Sequence, residues 1–318
     1  MIPDLKMADF VPAPDRAAWL QLRSSGLGGS DIAAAAGMNP YKSPYALWVE
    51  KTERLADAVE NEAMEWGTRL ESVVLAKWAE QHPSLELARP ALGVWRHVEH
   101  DFMFASPDAF AVDAGEPVGL IEAKTAGLRS AHQWADGIPD HYELQTRWYL
   151  ACLGLPRAWV AVLIGGQQWR EFEIVRDLEI EGRIIELASG FWQLVADRTP
   201  PAVDGEESTT DALKRLFAAD DGTALELPAD GAALLDEARQ ARLAVQAAEA
   251  RQAAADNQIK ALLGDHAVAT IDGRVAATWK TFAKKSFDQK ALRSAMPDVA
   301  EQFTTTSSYR TLSIKDMK

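Results

Sequence analysis

Two acidic residues and a lysine near the middle of the chain have the spacing of a hydrolytic site. Asp108 follows a Ser-Pro turn, and one residue separates Glu122 from Lys124 in a stretch that reads as a strand. Because successive side chains of a strand point to opposite faces, Glu122 and Lys124 share a face. Two carboxylates can hold a hard divalent cation, and a lysine can orient or deprotonate a water molecule. The pattern predicts metal-assisted phosphodiester hydrolysis, with a surface ion pair as the alternative.

A glycine-rich segment near the N-terminus forms a second candidate site. Three glycines in residues 26–29 precede Ser30, which we expect at the start of a helix. The backbone N–H groups of a helix N-terminus can hold an anion. Arg23 lies seven residues before Ser30 and can fold back onto the same anion with bidentate contacts. The alternative is an ordinary capped helix after a turn.

The helix predicted over residues 61–81 has an acidic residue in a mostly apolar row. Glu71 shares this row, at spacings of three and four, with Met64, Gly67, Val74 and Trp78. A carboxylate in such a place needs a partner or a metal, because an unpaired buried charge is costly. The alternative is a Glu71 at the edge of the row, paired with Arg69 or Lys77.

Together these segments resemble the lambda exonuclease-like, YqaJ-type phage recombination nucleases of the restriction-endonuclease-like PD-(D/E)xK superfamily. The matching motifs are Asp108…Glu122-Ala123-Lys124, Arg23…Leu27-Gly28-Gly29-Ser30-Asp31, Gly67-x-x-x-Glu71 and Pro139-x-x-Tyr142-x-x-Gln145. The resemblance covers most of the chain and is strongest over residues 23–175. The chain departs from the family at Ala109, where a glycine usually follows Ser-Pro-Asp.

The resemblance implies a role for each residue of the central motif. Asp108 and Glu122, with the Ala123 backbone carbonyl and Glu71, would hold one or two Mg²⁺ ions, for which Mn²⁺ could substitute. Lys124 would position or deprotonate the attacking water. Because neighbouring carboxylates raise the pKa of a lysine, orientation and electrostatic help are favoured over proton abstraction.

The resemblance also implies contacts with DNA outside the central motif. Arg23 and Ser30 would contact the terminal 5′ phosphate. Gln145 would lie beside the active site, near the scissile phosphate or the lysine. Tyr142 shares a helix face with Gln145 and would contact DNA. A polar face turned to solvent is the alternative, and it suits Tyr142 better than Gln145.

The implied activity is Mg²⁺-dependent degradation of one strand of linear duplex DNA from the 5′ end. The remaining 3′ overhang would receive a single-strand annealing protein. Family relatives form ring-shaped trimers that thread DNA, so a homo-oligomer is expected. Two alternatives remain, namely an endonuclease of the same fold and a non-catalytic recombination scaffold. An intact set of Asp108, Glu122, Lys124 and Glu71 argues against the decayed core of a scaffold.

Composition narrows the class of protein. The 318 residues are 47% hydrophobic and 25% charged, as in ordinary globular proteins. The single cysteine, Cys152, excludes an internal disulfide and cysteine-ligated clusters. The net charge of −14 argues against a protein that coats DNA nonspecifically, although a local basic channel can coexist with it. The absence of a signal-peptide pattern or a membrane-length apolar run predicts a cytoplasmic location in a bacterial or phage-infected cell.

The order of predicted elements favours an α/β (α+β) fold with a restriction-endonuclease-like core. In this fold, helices flank a mixed central β-sheet. Consecutive prolines and a polar run lead us to end the nuclease domain at residue 203, giving domain 1–203 and an accessory region over 204–318. The accessory region should contain a long helix over about 232–263 and then a β-hairpin. The tail segment 279–285 mixes basic and aromatic residues, as in a DNA surface or a solvated edge strand.

Overall fold

The structure, a computed structural model, describes residues 5–53, 62–306 and 308–315. The chain divides into two compact units, Met1–Leu216 and Phe217–Lys318. The strands of the first unit are β1 (Ala8–Pro12), β2 (Glu86–Ala88), β3 (Gly93–His97), β4 (Phe104–Ala105), β5 (Ala109–Asp113), β6 (Glu116–Ala126), β7 (Arg157–Ile164) and β8 (Gln168–Val175). Its helices are α1 (Arg16–Ser24), α2 (Gly29–Ala35), α3 (Pro44–Glu53), α4 (Glu62–Gln81), α5 (Asp140–Leu153), α6 (Leu178–Ala196) and α7 (Glu207–Leu216), with a 3-10 helix over Leu128–Trp134.

A five-stranded sheet positions the central motif. Its strand order is β2-β5-β6-β7-β8, in which β6 and β7 are parallel and the other neighbours are antiparallel. The helix α5 joins β6 to β7, since a parallel pair requires a crossover connection. A second sheet has the order β1-β3-β4 and is antiparallel. The predicted mixed sheet flanked by helices is confirmed.

Helices cover both faces of the five-stranded sheet. On one face, Val74 of α4 packs in a buried cluster with Ile121 of β6. On the other face, Trp148 of α5 belongs to a larger cluster that includes Leu120. Because side chains alternate along β6, Glu122 lies on the same face as Leu120 and points toward α5. The helix predicted over 61–81 is confirmed from Glu62 onward, and Asn61 lies outside the described residues.

A tight hairpin between β5 and β6 brings the acidic residues together. Its two turn residues, Ala114 and Gly115, both have positive φ angles, of 48° and 88°, as a type I′ hairpin turn requires. The pairing of Ala109 with Ile121 then fixes the register. Asp108 precedes Ala109 and therefore lies beside the glutamate that follows Ile121.

The first unit extends past the expected domain end at residue 203. The helix α7 packs against α3, and the contacting side chains lie far apart in the sequence. Ser43 and Thr209 have their hydroxyl oxygens 2.6 Å apart. The Ser43 backbone N–H donates to the Ser208 hydroxyl at 2.9 Å. Because its sequence is polar, α7 was not predicted as a helix, yet it belongs to the first unit.

The second unit contains the predicted long helix and hairpin. Its elements are α8 (Gly231–Leu263), β9 (Val268–Ile271), β10 (Arg274–Thr278), α9 (Gln289–Ala295) and α10 (Pro297–Gln302). The helix α8 is about 50 Å long at 1.5 Å per residue. Its apolar residues stay largely uncovered, since Leu234 is 61% and Leu262 87% exposed. Among the described residues, no helix combines the length and the apolar character that a membrane crossing requires.

Candidate active site

The structure brings the central acidic pair and the lysine to one place. Asp108 Oδ2 accepts a hydrogen bond from the Ala123 backbone N–H at 2.8 Å. Glu122 Oε2 accepts one from Lys124 Nζ at 2.8 Å, and these two side chains are 1% and 15% exposed. Three ionisable groups therefore share a nearly buried corner at the end of the β5–β6 pairing, as the spacing along the strand predicts.

The described groups around the acidic pair compensate its two carboxyl groups only in part. Oε1 of Glu122 is buried and has no hydrogen-bond partner among the described residues. Burial and the Asp108 carboxylate raise the pKa of Glu122 to about 8, although Lys124 opposes this rise. Burial likewise raises the pKa of Asp108. Because an unpaired buried carboxylate oxygen is costly, the pair fits a bound cation.

Lys124 is held as an ammonium. Burial alone would lower the pKa of Lys124, but the Glu122 and Asp108 carboxylates outweigh burial and raise it. Lys124 Nζ lies 5.0 Å from the centre of the Tyr142 ring. It also donates a hydrogen bond to Gln145 Oε1 at 3.3 Å. A lysine that keeps its proton can orient groups and neutralise charge, but it is a poor general base.

The helix α5 supplies the polar groups that face the acidic pair. Gln145 Nε2 donates to Glu122 Oε2 at 2.9 Å and to the Tyr149 hydroxyl at 3.4 Å. Tyr149 is buried and lies one helical turn after Gln145. It is absent from the residues predicted above, although its i,i+4 spacing from Gln145 was a usable signal. Tyr142, which was expected to contact DNA, lies against Lys124 at this site.

Glu71 lies near the acidic pair but has a partner of its own. Burial and the Asp108 carboxylate raise the pKa of Glu71. Glu71 accepts a hydrogen bond from Arg89, whereas the expected partners Arg69 and Lys77 pair with other glutamates of α4. Among the described residues, no three His, Cys, Asp or Glu side chains form a group that could hold a metal ion. The structure therefore does not join Glu71 to the acidic pair in a three-carboxylate cluster.

The second predicted site is also assembled. Arg23 folds back as expected and donates a hydrogen bond to the Ser30 hydroxyl at 2.8 Å. Its guanidinium carbon lies 4.8 Å from the ring centre of Trp19. Ser30 is exposed in the first turn of α2, where backbone N–H groups have no partner within the helix. A guanidinium, a hydroxyl and a helix N-terminus thus surround a position suited to a phosphate.

A buried ion pair supports this second site. Asp31 Oδ2 and Lys51 Nζ are 2.8 Å apart, and both side chains are 2% exposed. Asp31 also accepts a hydrogen bond from the Gly28 backbone N–H at 2.9 Å. Lys51 also donates to the Arg23 backbone carbonyl at 3.0 Å. Burial opposes the ionisation of Asp31, but Lys51 and Arg23 hold the pKa of this carboxyl well below its usual range. The sequence interpretation missed this pair.

The two sites adjoin through a close contact between α2 and α5. A Cβ atom added at Gly29 would lie 2.5 Å from Tyr149 Cε1 and 2.8 Å from Gln145 Cγ. Only glycine leaves enough room for this approach. Ser30 therefore follows directly on a residue that touches the glutamine of the acidic site.

Comparison with known proteins finds a protein family, a relative and two solved structures to which this chain is similar. Residues 18–156 match the YqaJ-like viral recombinase domain. The chain is 31% identical over 305 residues to the uncharacterized protein YqaJ of Bacillus subtilis (strain 168), with 94% of each chain covered. Two crystal structures of the alkaline exonuclease LHK-Exo from Laribacter hongkongensis, one of them in complex with dAMP, are 20% identical. They match with TM-scores of 0.48 and 0.47, over 64% of this chain and 98% of theirs.

Proposed function

Because the chain belongs to the family of YqaJ-like viral recombinases, which are DNA nucleases that act in recombination, we propose that it is a Mg²⁺-dependent 5′-to-3′ exonuclease. It would degrade one strand of linear duplex DNA and leave a 3′ overhang for recombination by strand annealing. The observation that carries this proposal is the Asp108–Glu122 pair, with its unpaired buried oxygen next to an ammonium at Lys124.

The residues at the acidic pair fit Mg²⁺ as the cofactor. Magnesium in nucleotide enzymes is usually held by one or two carboxylates together with substrate phosphates and water, rather than by a full cage of protein ligands. Asp108, Glu122 and the Ala123 carbonyl would supply the protein ligands, and Glu71 is near enough to Asp108 to influence them. When bound, the cation would polarise the scissile phosphate and lower the pKa of the attacking water.

The side chains on α5 and β6 would then arrange the reaction. Lys124 keeps its proton, so it would neutralise phosphate charge and orient the water. Gln145, held by Glu122 and Tyr149, would fix the position of Lys124 against the acidic pair. Tyr142 would contact DNA while its ring lies against the lysine.

The position of the Arg23–Ser30 site supports cleavage from a 5′ end. A terminal phosphate between Arg23 and Ser30 would be bound with a charge-assisted hydrogen bond. The close approach of Gly29 to Gln145 supports an anion site next to the acidic pair. An enzyme that binds a strand end and cuts beside it removes nucleotides from that end.

The predicted assembly and partners belong to the same proposal. We expect a homo-oligomer, a trimer by resemblance, that passes its 3′ strand to a single-strand annealing protein in the cytoplasm. Light scattering of the purified protein tests the assembly, and a monomer would exclude the ring.

Digestion of DNA labelled at one end at a time tests the activity. A linear duplex labelled at either 5′ or 3′ termini is incubated with Mg²⁺ beside a closed circle, with Glu122→Ala as the inactive control. We expect loss of the 5′-ended strand from the linear duplex alone. Arg23→Ala should reduce the preference for 5′-phosphorylated over 5′-hydroxyl ends by about tenfold, the loss of one charge-assisted contact.

Each other outcome contradicts a separate part of the proposal. Cutting of the circle would indicate an endonuclease of the same fold. The absence of metal-dependent cleavage from both substrates would indicate a recombination scaffold. An unchanged end preference in Arg23→Ala would remove the 5′-phosphate role from this arginine.

A further inference from the structure

Residues 274–293, which we call the basic–aromatic segment, have a charge opposite to that of the chain. The segment contains six basic residues and one acidic residue, whereas the chain has a net charge of −14. It runs from the start of β10 through an irregular stretch into α9. The six basic residues are Arg274, Lys280, Lys284, Lys285, Lys290 and Arg293.

The cations of this segment differ from many of those in the first unit in forming no ion pair within the part of the chain that the structure describes. None of the six forms an ion pair with a described residue, and Arg274, Lys284 and Lys285 are all exposed. In the first unit, by contrast, basic side chains such as Arg147 and Arg176 pair with glutamates. A row of unneutralised cations attracts a polyanion, and its binding releases counterions from that polyanion.

Large aromatic rings are interleaved with these cations. Trp279 is 49% exposed, Phe282 84% and Phe287 71%. The stretch between β10 and α9 has no regular structure, so each ring is open to a ligand. Along the chain, Lys280 lies between Trp279 and Phe282, and Lys284 and Lys285 lie between Phe282 and Phe287. Lysines with exposed aromatic rings between them are the pattern of surfaces that bind single-stranded nucleic acid.

We propose that the basic–aromatic segment binds single-stranded DNA without regard to sequence. Bases would stack on Trp279, Phe282 and Phe287 while the lysines contact phosphates. Duplex DNA is disfavoured, because its bases are already stacked on one another and present no free face to a ring. The binding itself does not require cleavage. The purpose of this binding rests on the proposed function. An exonuclease that removes one strand leaves the other strand single-stranded, and that strand would be the ligand of the basic–aromatic segment.

Fluorescence anisotropy of a labelled thymidine homopolymer tests the proposal on the full chain. The protein carries Glu122→Ala and the buffer contains EDTA, so the DNA stays intact. The double variant Phe282→Ala/Phe287→Ala should weaken binding at least about tenfold, because each stacked base contributes to affinity. The matched control is Leu234→Ala/Leu262→Ala, which removes equally exposed apolar side chains from α8 and should bind like the parent.

The charges are tested separately from the rings. Lys284→Glu/Lys285→Glu should weaken binding and flatten the dependence of affinity on salt, by a slope of about 0.7 for each lost phosphate contact. Competition with an unlabelled blunt duplex should leave the labelled homopolymer bound. All substituted side chains are exposed, so each variant should keep the parent's melting temperature.

Three results would overturn the proposal. They are unchanged binding in both double variants, equal loss in the α8 control, and displacement of the homopolymer by duplex DNA at matched concentration. Failure of the proposed nuclease is a different result, because it would appear in the digestion of linear DNA while the binding losses persisted.

Discussion

The first unit buries charge at two adjoining places and treats it in opposite ways. Beside the Arg23–Ser30 site, Asp31 has an opposite charge on Lys51 at 2.8 Å, and the pKa of Asp31 is lowered despite its burial. At the acidic site, burial and a like charge on Asp108 raise the pKa of Glu122 to about 8. Asp31 is neutralised by its own lysine, whereas Glu122 shares Lys124 with Asp108 and keeps one buried oxygen, Oε1, without a partner among the described residues.

This difference separates a structural charge from a functional one. A buried ion pair with full hydrogen bonding holds its surroundings in place, and removing one partner is destabilising. Crowded carboxylates with an unpaired oxygen lower stability and persist at sites where a ligand supplies the missing charge. The comparison therefore predicts that substitutions at the acidic pair reduce mainly activity, whereas substitutions at the Asp31–Lys51 pair reduce mainly stability.

The largest effect is expected from Glu122→Gln. This change keeps the shape of the side chain and removes one of the crowded negative charges. Activity on linear duplex DNA should fall at least about a thousandfold, since the cation loses a ligand. The free energy of unfolding should stay the same or rise, because like-charge repulsion is relieved. Rates with saturating Mg²⁺ and urea denaturation measure the two quantities.

Glu116→Gln is the matched control for that substitution. Glu116 lies on the same strand, β6, but it is exposed. Both activity and stability should match those of the unmodified protein. A Glu122→Gln variant that unfolds easily would place Glu122 among the structural charges and contradict the comparison.

The next largest effect is expected from Lys51→Met on stability. The substitution leaves Asp31 buried without its cation, which typically costs about 3–5 kcal/mol. The free energy of unfolding from urea titration should fall by this amount. In Lys51→Met/Asp31→Leu part of the loss should return, because no buried charge is left unpaired. A loss of less than about 1 kcal/mol in the single variant would mean that water reaches Asp31.

Much of the acidic site could be predicted because it depends on local geometry. Strand alternation places Glu122 and Lys124 on one face, and the hairpin turn brings Asp108 beside them. The fold-back of Arg23 onto Ser30 also follows from a short spacing. In each case the partners lie on one strand, one hairpin or one turn, whose geometry the sequence pattern specifies.

The missed contacts all join separate elements. Arg89, which pairs with Glu71, follows β2 and lies 18 residues away along the chain. Lys51 is at the end of α3 and reads as an ordinary basic residue of a last helical turn. Its burial against Asp31 depends on how α3 packs on α2, and periodicity within either helix carries no information about that packing. The docking of α7 was missed for the same reason.

The smallest effect sharpens the role of the one cation at the acidic site. Because Glu122 and Asp108 raise the pKa of Lys124, its proton is lost only above the ordinary lysine pKa of about 10. Lys124→Arg should therefore keep the shape of the pH–rate profile between about pH 6 and 9. The rate itself should fall about tenfold, since a planar guanidinium does not reproduce the contacts of an ammonium with Glu122 and Gln145. Lys77→Arg, on the exposed face of α4, is the control.

Complete loss of activity would indicate a lysine that acts as a base, because arginine does not release its proton. A near-normal rate with an unaltered profile would remove any special role for Lys124.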